Sequence, residues 1–334
     1  KSRIAEDKAR LECLVARLDR AGESYTAGDV VKLYLTPSNR EDFFTFTRML
    51  IGQLRQVGKT HTAERYVTVM NSFGRFRREN ELLWEEVDSD LMVEYETYLK
   101  SRGVCPNTSS YYMRGLRAIY NRAVEKGMTV QREPFKYVYT GIDKTIKRAV
   151  PLKVIRQIRD LDLTLFPTMD FARDIFMFSF YTRGMSFIDM AYLKKKDLQG
   201  GTLSYRRQKT GQQLFVKWEK PMQEIVDKYN TNGTPYLLPI IRDMNADIRR
   251  QYKNAAHLVN DKLKKLGEKL GLTVPLTSYV ARHGWASIAR SRNIPLAIIS
   301  EAMGHDSEKT TRIYLASLDT TSVDKANSRI LKAL

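Results

Sequence analysis

The sequence predicts a mainly α-helical (α+β) protein: a helical N-terminal half, and a mostly helical C-terminal half that carries one small antiparallel sheet. Three observations carry this. Apolar residues recur at helical spacing through most of the chain. The stretch "GGTLSYRRQKTGQQLFVKW" breaks that period and alternates around a turn. Between the halves, residues 129–150, "TVQREPFKYVYTGIDKTIKRAV", lose the helical period and gain Pro134, Gly141 and several basic residues. At 38.7 kDa the chain suits two domains.

The elements follow in order. Ile4, Leu11, Leu14, Val15 and Leu18 share a helical face that Gly22 ends. Thr26 stands three before Asp29 as in a capping box, and Ser38 with Glu41 repeats the arrangement ahead of "DFFTFTRMLIGQLRQVG". The next helix, from about residue 62, holds Tyr66, Val67, Val69, Met70 and Phe73. "SDLMVEYETYLKSRG" forms a helix after Asp88, and Asn107 is expected to cap "TSSYYMRGLRAIYNRAVEKG". Gly58, Gly103 and Gly127 are the expected stops. Four helices between residues 38 and 128 with short connections imply a compact bundle. From Pro151 helices resume, interrupted by the hairpin whose tip is Thr210-Gly211. The expected divisions are therefore an N-terminal helical segment 1–37, a helical domain 38–128, an extended basic linker 129–150 and a second domain 151–334. The chain opens on Lys1, which is compatible with a further segment upstream.

Charge narrows the partners. Fifty-six Lys and Arg against thirty-eight Asp and Glu give +18, an excess that points to a polyanion. The basic residues are spread over helices and the hairpin rather than gathered in one amphipathic stripe, and no apolar run reaches the roughly 18 residues of a membrane span. Nucleic acid is the expected partner and a membrane is not. No signal-peptide pattern opens the chain. Two cysteines, Cys13 and Cys105, form neither a disulfide framework nor a metal cluster. Both are expected to be buried, in a reducing, cytoplasmic setting.

The C-terminal half concentrates the chemistry. Its distinctive polar residues are Arg183 in "YTRGMSF", Lys209 in "RRQKTGQ", Arg282 in "YVARHGWAS", and His305 and Tyr314 in "MGHDSEKTTRIY". No Walker-type loop, HExxH, CxxC or paired acidic motif is present, so neither a metal nor a cofactor is expected. Two arginines, a lysine and a histidine suit donation to the oxygens of a phosphodiester, whose charge grows in a pentacovalent transition state. A tyrosine hydroxyl, of pKa near 10, becomes a usable nucleophile among such cations. A lysine at a hairpin tip could protonate the leaving 5′-oxygen.

These strings resemble the tyrosine recombinase (integrase) family of phages and mobile elements, including its DNA-invertase branch. The first arginine box is "YTRGMSFIDMAYLKKKDL", the second "RHGWAS", and the His-to-Tyr box "MGHDSEKTTRIY". By motif the resemblance covers about residues 151–320, and more weakly 40–128, where the family has a helical core-binding domain. It implies Arg183, Arg282 and His305 as phosphate donors and Lys209 as general acid. Tyr314 would be the nucleophile forming a 3′-phosphotyrosyl link. It further implies double-stranded DNA recombination sites as partner, a homotetramer in the synaptic complex, Holliday-junction exchange and accessory DNA-bending proteins. Residues 1–37 then read either as part of the core-binding domain or as the remnant of an arm-site domain. The tail from Ser322 to Leu334 is a candidate docking segment for a neighbouring subunit.

One position departs from the family. The second box usually runs His-x-x-Arg, yet Tyr279 stands three before Arg282. Tyr279 as a neutral donor, Ser278 or His283 could each supply the missing group. In the N-terminal half, Lys59, Thr60, His61, Arg65, Arg75, Arg77, Arg78, Tyr111, Arg114 and Arg117 are expected DNA contacts, chiefly to phosphates, and Arg206 and Arg207 beside Lys209 join them. Two rival readings share the fold: a type IB topoisomerase, and a catalytically idle DNA-binding regulator.

Overall fold

A computed structural model describes residues 24–35, 42–78, 81–143 and 149–315, with single helical positions at 8, 11, 12, 15, 16, 18, 19, 328 and 331. The chain divides into two units, Lys1–Lys144 and Thr145–Leu334.

In the first unit, α1 (Ala27–Leu35) opens on the expected box: the Thr26 amide donates to the Asp29 carboxylate at 2.9 Å and the Asp29 amide to the Thr26 hydroxyl at 3.3 Å. The Ser38–Glu41 pair lies outside the described residues. Asp42 caps α2 (Phe43–Gln56), accepting the Thr45 amide at 2.8 Å. Then come α3 (Thr60–Arg77), α4 (Ser89–Ser101, capped by Asp88) and α5 (Pro106–Glu125). Gly58, Gly103 and Gly127 all take left-handed backbone at the stops. The apolar faces meet in an aromatic core of Phe43, Phe46, Phe73, Trp84, Tyr95 and Tyr120. Each such fully buried ring contributes about 1.5–3 kcal/mol. The buried Tyr95 hydroxyl is satisfied by donating to Ser72 at 2.8 Å.

Two expectations fail here for identifiable reasons. Asn107 does not cap α5. Cys105 occupies that position with Pro106 following it, and the Asn107 side chain is engaged elsewhere. Its amide donates to the Asp143 carbonyl at 3.0 Å, and its oxygen accepts the Asp143 amide at 2.7 Å. Cys105 is exposed rather than buried. As the residue just outside a helix it faces solvent, and hydrogen bonding from Thr108 holds its thiol below the usual range. The basic segment 129–143 packs on this unit. Phe135 and Val138 enter the core, the Tyr120 hydroxyl donates to the Val130 carbonyl at 2.8 Å, and the Tyr139 amide donates to Glu96 at 2.8 Å.

The second unit is built around α7 (Pro167–Tyr181), on which α6 (Leu152–Asp160), α10 (Ile248–Lys269) and α11 (Ser278–Ser291) pack. Ile175, Phe176 and Phe178 of α7 are fully buried. A short α8 (Phe187–Tyr192) leads into the expected sheet, with strands β1 (Leu198–Gln199), β2 (Thr202–Arg206) and β3 (Gln213–Lys217) in order β1-β2-β3, all antiparallel. The register pairs Leu203 with Val216 and Tyr205 with Leu214, all turned inward on alternating positions. After α9 (Lys220–Asp227) and α10, helix α11 is followed by α12 (Leu296–Ala302) and α13 (Glu308–Tyr314). These last three share a smaller core of Ala286, Ala289, Ile299, Met303 and Leu315.

A close approach of two helices in the first unit gives a test. A Cβ at Gly115 on α5 would stand 2.5 Å from the Val69 methyl on α3. Gly115→Ala is expected to destabilise this unit by about 1–3 kcal/mol through overpacking. Urea denaturation of the full chain, compared with wild type, measures it.

Candidate active site and DNA-contact surface

The site forms where the ends of α7, α11 and α12 meet the hairpin. Helix α7 ends at Tyr181, and Arg183 and Gly184 then take successive left-handed backbone, φ 62° and 78°. For Arg183 this conformation costs on the order of 1–2 kcal/mol. For Gly184 it comes with a steric demand, because a Cβ there would lie 2.8 Å from the Arg282 Cα. The absence of a side chain lets α11 close on this turn and brings the Gly184 carbonyl to Arg282.

Arg282 is 3 % exposed. A guanidinium stays charged at any working pH, so its burial demands acceptors. It donates from Nη1 to the Gly184 carbonyl and from Nη2 to the Met303 carbonyl, each at 2.6 Å. The same Nη2 lies 2.8 Å from His305 Nε2. Because the guanidinium has no lone pair to offer, Nε2 must be the acceptor. The ring proton therefore sits on Nδ1 and donates to the buried Thr311 hydroxyl at 2.8 Å. Burial, then Arg282, Arg207 and Lys209, lower the His305 pKa to about 4. His305 is thus a neutral imidazole near pH 7, in agreement with its hydrogen bonds.

Lys209 sits exposed at the tip of the β2–β3 hairpin, near enough for its charge to act on His305. Arg183 is half-buried and donates from Nη1 to the Phe215 carbonyl on β3 at 3.2 Å. Tyr205 of β2 is buried, within electrostatic reach of Asp189, Arg282, Arg207 and Arg183, and burial pushes its phenol up. Tyr279 is 48 % exposed, its ring edge-to-face with His283 at 4.8 Å, one turn before Arg282 on α11. Ser278 is turned the other way, donating to Asn260 on α10 at 3.2 Å. Tyr314 closes α13, three residues after Thr311. Its side chain lies outside the described structure, as does the tail from Ser322 to Leu334 apart from the single positions noted above. Arg282 and His305 are therefore in direct contact, and the charges of Lys209 and Arg183 act in the same neighbourhood, on His305 and on Tyr205 respectively.

Arg206 is exposed at the hairpin and donates to the Gly211 carbonyl at 2.7 Å. Arg207, grouped with it above as a surface contact, is instead 5 % exposed and turned inward, donating to the Gly304 carbonyl. Its neighbour in sequence points outward because strand-end side chains alternate. The sequence reading also missed Thr311, the residue that fixes the His305 tautomer. Its only signal was an offset of six from His305 in a string already rich in Ser and Thr.

In the first unit the candidate contacts fall into two groups. Lys59, Thr60 and His61 are exposed at the start of α3, and Arg65 a turn later lies over the Tyr111 ring of α5 at 5.1 Å. Arg114 and the exposed Arg117 follow on α5. Arg75, Arg77 and Arg78 stand at the opposite end of α3, about 25 Å away at 1.5 Å per residue. Arg77 there is held near Glu86 at 3.8 Å.

Comparison with known proteins decides the family. Residues 42–141 match the phage integrase SAM-like domain and residues 167–321 match the phage integrase family. The chain belongs to the tyrosine recombinase (phage integrase) family. It is 23 % identical over 263 residues to tyrosine recombinase XerA of Pyrococcus horikoshii, covering 69 % of this chain and 90 % of that one. To tyrosine recombinase XerC of Syntrophus aciditrophicus it is 25 % identical over 282 residues, covering 77 % and 87 %. Its fold matches a lambda integrase tetramer bound to a Holliday junction, with a TM-score of 0.65 at 14 % identity over 92 % of this chain and 86 % of that one. The Tn1549 transposon integrase in complex with transposon right-end DNA matches with a TM-score of 0.58 at 14 % identity over 87 % and 99 %. No helix among the described residues is long and apolar enough to cross a membrane.

The His305 environment sets a pH dependence. Its folded pKa lies below the unfolded value, so between about pH 4 and 6.5 the unfolded chain binds more protons and this group's contribution to stability grows with pH. The contribution is complete above about pH 6.5 and is lost as pH falls toward 4. The melting temperature of wild type relative to His305→Gln, which titrates nothing, is expected to rise across that window and to be level above it. Paired thermal melts from pH 4 to 8 check this.

Proposed function

We propose that this chain is a site-specific DNA recombinase that cuts and rejoins strands through a 3′-phosphotyrosine, with Tyr314 as nucleophile. The observation that carries the reading is the buried Arg282–His305–Thr311 relay, fixed at one point by the Gly184 and Met303 carbonyls. Its two outward-facing neighbours, Arg183 and Lys209, complete a donor set for one phosphate.

The chemistry follows from that set. The Tyr314 phenol loses its proton to water as its oxygen attacks the scissile phosphorus, and the bond to the 5′-oxygen breaks. Arg282, Arg183 and His305 donate to the non-bridging oxygens, which gain charge in the transition state. A bound phosphodiester brings a negative charge among Arg282, Arg207 and Lys209. That charge offsets theirs and raises the proton affinity of His305, so that Nε2 turns from acceptor to donor. Lys209 gives its proton to the leaving 5′-oxygen. The 5′-hydroxyl of a second, identically cleaved duplex then attacks the phosphotyrosine, returning its proton to Lys209 while the bond to Tyr314 breaks and the phenolate regains a proton from water. The reciprocal attack in the other duplex completes a Holliday junction. Each step exchanges one phosphodiester for another, so no ATP is required. Tyr279, exposed one turn before Arg282, is the side chain best placed to add a neutral hydrogen bond at the box position where the family has His.

The basic ends of α3 and α5 in the first unit support the reading as phosphate contacts that hold the duplex. Assembly as a tetramer on two DNA sites, docking of the Ser322–Leu334 tail onto a neighbour, and a nucleoid-associated place in the cytoplasm belong to the same proposal.

A nicked suicide duplex spanning the candidate crossover, incubated in EDTA, tests it. Wild type is expected to form a covalent protein–DNA adduct, and Tyr314→Phe none while still binding the duplex. Equal adduct from both proteins would remove Tyr314 from its role; binding without adduct from either would favour an idle regulator.

A further inference from the structure

We propose that Arg207 is a positioning residue for strand cleavage: it bolts the Lys209 hairpin to the loop that carries His305, so that one buried guanidinium sets the placement of the proton donor. This rests on the reading of Lys209 as general acid.

The hairpin tip is tied down through Arg207 at every level. The Arg207 amide donates to the Gln212 carbonyl, and the Gly211 amide donates to the Arg207 carbonyl, both at 2.8 Å, closing the loop on either side of Lys209. The guanidinium points inward, where Nη1 donates to the carbonyl of Gly304, the residue before His305. Nε faces the Asp189 carboxylate at 3.8 Å. That carboxylate is itself 4 % exposed. It accepts the amide of Gln208, the residue before Lys209, at 2.8 Å, and also the Ser186 hydroxyl. Arg207 and Asp189 thus touch the residue that precedes each of the two groups that must meet at the phosphate, Gly304 before His305 and Gln208 before Lys209.

The fit leaves little slack. Gly304 has φ 63°, and a Cβ there would stand 2.7 Å from the Arg207 Cδ and 2.9 Å from Leu214. A cation contacting DNA gains by staying at the surface, as Arg206 does. A cation enclosed at 5 % exposure incurs a desolvation cost that apolar residues of like volume avoid. Such a pair adds little to stability, and its advantage lies in the single geometry it enforces.

A change of leaving group isolates that role. A sulfur in place of the bridging 5′-oxygen departs as a thiolate, with a conjugate acid of pKa about 8.5, and needs no general acid. Full-length Arg207→Met and Lys209→Ala are compared with wild type in single-turnover cleavage of a nicked suicide duplex, made with oxygen or with sulfur at the scissile position. Loss of a general acid costs about 10²–10⁴-fold. On oxygen, Lys209→Ala is expected to fall by that range and Arg207→Met by about 10–100-fold; on sulfur both are expected to approach the wild-type rate. Arg207→Met remaining slow on sulfur while Lys209→Ala recovers would overturn the proposal, since Arg207 would then act on the phosphate or on the fold. Lys209→Ala failing to recover would instead overturn the general-acid reading, and the positioning role with it. Should Arg207→Met not fold, the isosteric Asp189→Asn carries the test: a sulfur-rescued loss is expected, and a wild-type rate on oxygen refutes the proposal.

Discussion

The candidate site in the second unit is organised around the buried guanidinium of Arg282. Arg282 cannot lose its charge and cannot reach bulk water, so the chain must deliver acceptors to it from distant parts of the sequence. The Gly184 turn after α7, the end of α12 and the His305 ring all converge on its two terminal nitrogens. The large apolar helix α7 is the platform that makes this convergence rigid, because its fully buried phenylalanines fix where the turn emerges. The two strained or glycine-dependent positions of the turn exist to bring a carbonyl where a side chain would have collided.

The same cation explains the state of the histidine. Surrounded by like charge and shielded from water, the imidazole is kept neutral with its proton on the Thr311 side, and its outward nitrogen is occupied by Arg282. Arg282 and Arg183 each hold internal acceptors, the Gly184, Met303 and Phe215 carbonyls and the His305 ring. An anion binding here would exchange some of these internal hydrogen bonds for external ones, from side chains already held in place.

Much of this was readable from the amino acids. The helices of both units, their glycine stops and the hairpin follow from apolar period and turn chemistry. That Arg183, Lys209, Arg282 and His305 serve one site is what the family resemblance of their motifs implies. What escaped reading has a common cause, which is that partners distant in sequence decide it. Asn107 carries the signature of a cap, yet the backbone of Asp143, thirty-six residues on, claims its side chain. Arg207 and Arg206 are adjacent and chemically identical, and only the pleat tells that one faces solvent and the other a buried carboxylate. Thr311 is indistinguishable in sequence from Thr310 beside it. The segment 129–143 was legible as extended and basic, but its anchoring depends on Phe135 and Val138 finding a core built by other helices.

Cys105 offers a practical handle. Its exposed thiol, lowered toward the thiolate by Thr108, stands six residues before Tyr111 on α5, about 9 Å along the helix axis. Alkylating fluorophores should therefore react there readily and place a reporter beside Tyr111 and Arg65. The same reactivity leaves this end of the helix open to oxidants, so preparations handled without a reductant would accumulate a chemically altered surface there.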